Sequence, residues 1–175
     1  MAKPALSALP KTKMDNKYVI VMQCYDVDRK NPYPDEVEEV FDDATYARYQ
    51  MLCCVLDELD SLNGILEDGT FPELRFIATM EDEKHDVIIQ AWDGPDYRPV
   101  TCYDMVSVED LLLALNWELK KTHGDQISVE IKACTGDDGS INYYYSSARN
   151  GDSNSFTKAT AAYISADAYL KSLSE

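Results

Sequence analysis

The chain has 175 residues, which is enough for one domain with a substantial hydrophobic core. Its formal net charge of −16 argues against direct binding to DNA, RNA or an anionic membrane, because their phosphates and the protein would repel each other. The apolar fraction of 45% and its regular patterning argue against global disorder.

The acidic residues are concentrated in one part of the chain. The stretch from Asp26 to Asp110 holds 23 of the 32 acidic residues but only six basic ones. Its densest part, Asp35 to Asp60, has nine carboxylates against Arg48 alone. The N-terminal end is the opposite, with four lysines and a single acidic residue before Tyr18. We therefore predict a flexible basic tail over residues 1–16 and a single domain over residues 17–175.

A strand and an acidic loop are predicted to open the domain. Lys17 to Val27 is rich in β-branched and aromatic residues, which is typical of a central strand. Asp28 to Val40 contains Pro32 and Pro34. Because proline interrupts regular structure, this segment is predicted to be a loop.

A long helix is predicted next. Asp42 or Asp43 is a suitable N-cap, and Asn63-Gly64 is a C-cap signal, so the helix should end near Leu62. Apolar residues at helical spacing predict its buried face, which comprises Tyr46, Tyr49, Leu52, Val55, Leu56, Leu59 and Leu62.

The remaining chain predicts antiparallel strands and two more helices. Leu74–Met80 and Asp86–Trp92 read as a hairpin, and Ser107 caps a second helix that Gly124 ends. Further predicted elements are strands at Tyr97–Met105, Gln126–Cys134 and Ile141–Ser146 and a last helix ending at Leu173. This order predicts an α+β fold, with a mainly antiparallel sheet of about five to six strands and about three helices packed on one face of it.

Motifs for catalysis are absent from the sequence. There is no Gly-rich phosphate loop, nucleophile elbow or His-Glu-x-x-His pattern, and His85 and His123 lie in no catalytic pattern. We therefore predict a protein that is not an enzyme, with no catalytic residue, no metal ligand and no cofactor. One alternative stays open: Asp26 and Asp28 alternate at a strand end, where two carboxylates could bind Mg²⁺ or Mn²⁺ in a metal-dependent enzyme.

The cysteines bear on the cellular compartment. Their number, five, is odd, and they include no C-x-x-C pair. No apolar leader segment precedes Lys17. We therefore expect a reduced, cytoplasmic protein.

The acidic cluster is the feature that best predicts a function. Carboxylates spaced along a rigid surface can imitate phosphates and occupy a groove lined with lysine and arginine. We predict that this surface binds a basic protein, with no direct nucleic-acid or membrane partner. The alternative is a cytosolic adaptor or assembly subunit whose acidic face only interacts with solvent. The predicted partner-binding residues are Asp35, Glu36, Glu38, Glu39, Asp42, Asp43, Asp57, Glu58 and Asp60.

In charge and size, the stretch from Asp26 to Asp110 resembles the small acidic inhibitors that phages and mobile elements make against host nucleases, namely anti-restriction and anti-CRISPR proteins. The resemblance is one of composition and covers about half of the chain. It implies binding of a DNA- or RNA-guided nuclease and obstruction of its nucleic-acid channel or its activation. No catalytic residue carries over.

Repulsion among the acidic residues should destabilise the folded state at low ionic strength. We expect the melting temperature, followed by circular dichroism, to rise when salt is increased from a low to a moderate concentration. A melting temperature that does not respond to salt would contradict this expectation.

Overall fold

The computed structural model describes residues 16–25, 35–67, 75–80, 85–93 and 96–174. The predicted basic tail therefore lies outside the described residues, apart from Asn16. The described elements in chain order are β1 (Tyr18–Cys24), β2 (Asp35–Phe41), α1 (Ala44–Glu67), β3 (Arg75–Met80), β4 (Val87–Asp93), β5 (Asp96–Ser107), α2 (Val108–His123), β6 (Val129–Thr135), β7 (Ile141–Ser147), β8 (Gly151–Asp152) and α3 (Ala159–Leu173).

These strands form two antiparallel sheets, which confirms the predicted α+β class. The larger sheet has the order β2-β1-β5-β4-β3 and the smaller one the order β6-β7-β8. β1 pairs with β5 along its whole length, from Tyr18 opposite Ser107 to Cys24 opposite Thr101. β1 pairs with β2 on its other side, so it is an interior strand as predicted.

Alternate residues of β1 contribute to two separate hydrophobic cores. Ile20 packs in a core with α1, β4 and β5. Val19 and Val21 belong to a second core built from α2, α3, β6 and β7. Because successive side chains of a strand point to opposite faces, the larger sheet is covered on both sides. The prediction that the helices pack on one face was therefore wrong.

Both predicted caps of α2 and the predicted N-cap of α1 are confirmed, whereas the predicted C-cap of α1 at Asn63-Gly64 is not. The Ser107 hydroxyl accepts a hydrogen bond from the backbone N–H of Asp110 at 3.0 Å, which fixes the start of α2. Gly124 ends this helix with a φ of 97°, a conformation that favours glycine. At the start of α1, the Asp43 carboxylate accepts from the Tyr46 N–H at 2.7 Å, so Asp43 and not Asp42 is the cap.

Two predicted boundaries were wrong. Residues 35–40 of the predicted loop form, together with Phe41, the strand β2, from Asp35 opposite Met22 to Phe41 opposite Tyr18. Ladder hydrogen bonds to β1 override the low strand propensity of acidic residues, and charged residues are common on an edge strand. α1 continues through Gly64 to Glu67, since a helical glycine costs only about 1 kcal/mol relative to alanine.

The buried face of α1 also differs from the prediction. Val55 is buried against the larger sheet as predicted, and so are Ala47 and Met51, which were not assigned to the core. Leu52, Leu59 and Leu62 pack against the same core, as predicted. In contrast, three residues assigned to the core are exposed to solvent: Tyr46 by 54%, Tyr49 by 60% and Leu56 by 61%.

A pair of substitutions in α1 tests this orientation. Met51→Ala should lower the free energy of unfolding by about 2–5 kcal/mol, because it leaves a cavity in the core. Leu56→Ala should change it by less than about 0.5 kcal/mol, because Leu56 is exposed. Both values can be measured by chemical denaturation. Similar losses for the two variants would show that α1 is oriented differently.

Candidate interaction surface

The exposed side of α1 carries an aromatic pair that is fixed in place. The rings of Tyr46 and Tyr49 stack with their centroids 6.4 Å apart. Tyr46 also meets the ring of Phe41 edge-on at 5.8 Å, and Phe41 is buried in the core. Leu56 lies two turns further along the same side of the helix. The pair thus contacts the buried Phe41 on its inner side, while its outer side is exposed to solvent.

The Tyr49 hydroxyl interacts with the Cys53 side chain. A hydrogen bond and a charge interaction with Cys53, one turn along the helix, raise the pKa of Tyr49 above its usual value. A tyrosine with an ordinary pKa of about 10 is already neutral at physiological pH, and the raised pKa extends this neutral range to higher pH. A neutral tyrosine can donate a hydrogen bond and also present its ring to a partner.

Exposed carboxylates border this aromatic and aliphatic stripe at both ends. Asp42 and Asp43 lie at the helix N-terminus, and Asp57 and Asp60 lie about 25 Å further along the axis. Asp42 forms an ion pair with Lys17. We define the α1 surface as these four carboxylates together with the exposed apolar residues, namely Asp42, Asp43, Tyr46, Tyr49, Leu56, Asp57 and Asp60.

Glu58, which the sequence places among the partner-binding residues, bonds to the sheet. Its carboxylate accepts hydrogen bonds from the Thr101 hydroxyl, at 2.6 Å, and from the Tyr103 hydroxyl, both on β5. Burial, together with the hydrogen bond to Glu58, raises the pKa of Tyr103 far above its usual range. Glu58 therefore attaches α1 to the larger sheet, and we leave it out of the α1 surface.

The other four predicted partner-binding residues belong to β2, at the edge of the larger sheet. They are Asp35, Glu36, Glu38 and Glu39. β2 ends at Phe41, so the strand leads along the chain directly into the α1 surface. The structure thus divides the nine predicted residues into an edge strand, an exposed helix face and one residue that contacts the sheet.

His85 takes part in a network that joins β4 to β5. Its Nδ1 lies 2.7 Å from the Asp104 carboxylate, and its Nε2 lies 3.4 Å from the Tyr25 hydroxyl. Asp104 also accepts from the backbone N–H of Asp86 at 2.8 Å, and Asp86 accepts from that of Met105 at 2.9 Å. These reciprocal bonds fix the start of β4 against β5, which is a structural role.

His123 links the second and third helices. Its Nε2 lies 2.7 Å from Asp167 Oδ1, and Lys171 Nζ lies 2.7 Å from Asp167 Oδ2. Burial alone would raise the pKa of the Asp167 carboxyl, but the hydrogen bonds and charges of Lys171 and His123 outweigh it and hold this pKa below its usual value. The ionised Asp167 thus joins the C-terminal end of α2 to α3.

The described residues contain no group of three or more metal-ligating side chains that could hold an ion. Asp26 and Asp28, on which the metal-dependent alternative depends, lie outside the described residues. All five cysteines lie inside them and form no disulfide. Among the helices that the structure describes, none is both long enough and apolar enough to cross a bilayer.

Comparisons with known proteins leave the function to be inferred from this chain alone. No family model matches it, and searches of curated proteins and of solved structures also found no match. Sequence reasoning assigned Tyr46 and Tyr49 to the core by default and left a position beside the acidic face only as an alternative. A signal for this alternative was present, because Ala47 and Met51 lie at helical spacing from Val55 and extend the apolar stripe away from the tyrosines.

The lowered pKa of Asp167 predicts how its contribution depends on pH. A carboxyl whose pKa is lower in the folded state contributes stability above its unfolded pKa of about 4 and loses it as the pH falls through the folded-state value. Asp167→Asn should therefore lower the free energy of unfolding by about 1–3 kcal/mol at neutral pH, with the difference shrinking below about pH 4. Chemical denaturation at several pH values measures this, with the exposed Asp137→Asn as the control. A pH-independent difference would argue against the ionic contact.

Proposed function

We propose that this chain is a non-enzymatic inhibitor that binds a basic, nucleic-acid-handling protein, such as a CRISPR-type nuclease, through the α1 surface. The observation that carries the proposal is the presence of exposed tyrosines and of exposed carboxylates on one face of a capped helix. A nucleic-acid groove lined with lysine and arginine is the complementary surface for such a face.

The carboxylates supply the long-range part of the recognition. Asp57 and Asp60 are exposed, and Arg48 is the only basic residue between Asp35 and Asp60. A negative face of this kind attracts a positive groove from a distance, so association should be fast and should weaken as salt increases. Occupation of the groove would exclude the nucleic acid and so inhibit the partner.

The aromatic and aliphatic residues supply the short-range part. Tyrosine is over-represented among the residues that dominate interface energies, which cluster near the centre of an interface and are surrounded by a polar rim. Tyr46, Tyr49 and Leu56 lie between the two acidic ends, which matches this arrangement. A tyrosine ring also attracts the arginine or lysine side chains of a basic groove.

The same exposed residues favour a second candidate function, that of an adaptor or assembly subunit. In that case Tyr49 and Leu56 would bind an apolar patch, and the acidic residues would only interact with solvent. The two candidates differ in salt dependence, because apolar contacts tolerate salt whereas exposed charge pairs are screened by it.

Charge reversal at the α1 surface tests the proposal against a matched control. Asp57→Lys/Asp60→Lys and Asp137→Lys/Asp152→Lys change the net charge equally, and all four residues are exposed. Binding to a panel of immobilised, guide-loaded CRISPR-type nucleases and inhibition of DNA cleavage would be measured at low and high salt. We expect the first variant to bind at least about tenfold more weakly and the control to bind like the wild type.

Other results would assign the function differently. Equal losses in both charge variants would contradict a role for this particular surface. Binding that survives high salt and charge reversal, but is lost in Tyr49→Ala/Leu56→Ala, would identify an adaptor. If no nuclease of the panel is bound or inhibited, the inhibitor proposal fails.

A further inference from the structure

The exposed face of α2 has two large apolar residues between an acidic end and a basic end. Leu113 and Trp117 are 64% and 60% exposed, although both are large and apolar. An acidic first turn precedes them and a basic last turn follows. We define the α2 face by six of the exposed residues of this helix, which are in chain order Glu109, Asp110, Leu113, Trp117, Lys120 and Lys121.

The orientation of this face is fixed by contacts on the other side of the helix. Leu111, Leu115 and Leu119 are buried in the core. The Asn116 side chain accepts a hydrogen bond from the backbone N–H of Ile131 on β6 at 2.7 Å and donates one to its carbonyl at 3.0 Å. α2 therefore cannot rotate to bury Leu113 and Trp117, and the face is presented to solvent in one orientation.

The α2 face of one copy is complementary to the α2 face of a second copy that runs in the opposite direction. When two such helices lie antiparallel, with a two-fold axis at the level of Leu115, Leu113 of each copy is opposite Trp117 of the other. The same register places the acidic pair opposite the basic pair, Glu109 with Lys121 and Asp110 with Lys120. All three pairings share residue 115 as their midpoint. A parallel arrangement would instead bring like charges together.

We propose that the chain forms a two-fold symmetric dimer by antiparallel packing of the α2 faces. In a two-fold interface the same surface serves both copies, so residue i contacts residue j and j contacts i. The α2 face meets this condition for its apolar centre and for both charged ends. The α1 surface does not, because a second copy would oppose its carboxylates with carboxylates.

Local contacts show which groups would rearrange at this interface. Lys121 Nζ lies 5.0 Å from the centroid of the Trp117 ring and 3.9 Å from the Glu118 carboxylate. In the dimer Lys121 turns from Glu118 of its own helix to Glu109 of the other copy, while Trp117 covers Leu113. The exposed indole is thereby buried under an apolar neighbour, which is the main gain on association.

The dimer leaves the α1 surface accessible, and the inference is independent of the proposed function. α1 covers one face of the larger sheet, whereas α2 belongs to the core on the other face. Each dimer would thus present two α1 surfaces. The helix is about 24 Å long, so the contact is smaller than a standard interface of about 1,600 Å². We therefore expect a dissociation constant in the micromolar range.

Two complementary charge variants test the register. Glu109→Lys/Asp110→Lys makes both ends of the α2 face basic, and Lys120→Glu/Lys121→Glu makes both ends acidic. Each variant alone should self-associate about 100-fold more weakly than the wild type, because like charges face each other. An equimolar mixture should form a heterodimer. Sedimentation velocity from low to several hundred micromolar distinguishes these states, and circular dichroism checks the fold.

The charge variants also control for net repulsion. Glu109→Lys/Asp110→Lys makes the chain less negative, so its loss of self-association would come from the local pairing. Asp57→Lys/Asp60→Lys leaves the α2 face intact and should dimerise like the wild type. If a charge variant fails to fold, Leu113→Ser/Trp117→Ser, at exposed positions, should likewise be monomeric.

Three results would overturn the proposal: a wild type that stays monomeric throughout the concentration range, charge variants that dimerise as the wild type does, or a mixture that forms no heterodimer. None of them would affect the test of the α1 surface, which is read from nuclease binding.

Discussion

The burial of β1 on both of its faces is the constraint on which the rest of the structure depends. Ile20 is fully buried on one side of the strand, and Val19 and Val21 are buried on the other. A strand with apolar residues on both faces requires a covering layer on each side. α1 supplies one layer, and α2, α3 and the smaller sheet together supply the other. Because both sides of the sheet must be covered, α1 lies on one side and α2 on the other, and each helix exposes its outer face to solvent.

The two exposed helix faces differ in the partners they fit. The α1 surface places tyrosines between carboxylates, which suits a basic groove on another protein. The α2 face places Leu113 and Trp117 between opposite charges, which suits a second copy. Polar contacts on the inner sides hold both helices in place, through Glu58 with β5 and Asn116 with β6. These inner contacts pre-organise the outer faces, which reduces the entropy lost on binding.

Most features governed by neighbours in sequence were predicted correctly, although the Asn63-Gly64 stop of α1 was not. The caps at Ser107 and Gly124 follow from local hydrogen bonding, and β3 and β4 pair antiparallel as predicted. Errors arose where distant residues decide the outcome. The segment from Asp35 became a strand because β1 offers it a hydrogen-bonding edge. The helix face holding Tyr46 and Leu56 became the exposed one because Ala47 and Met51 fit closer against the sheet.

The sequence by itself determined the fold class, the positions of most elements and the concentration of negative charge, because propensity, capping and composition act locally. Only the tertiary structure decided the extent of the buried side of α1, since packing against the sheet buries Ala47 and Met51 and leaves the predicted Leu56 exposed. That choice exposes Tyr46 and Tyr49 beside Asp43 and turns Glu58 toward Thr101. The acidic stretch thereby becomes a surface with an aromatic centre, and the number of charges in the sequence does not reveal this arrangement.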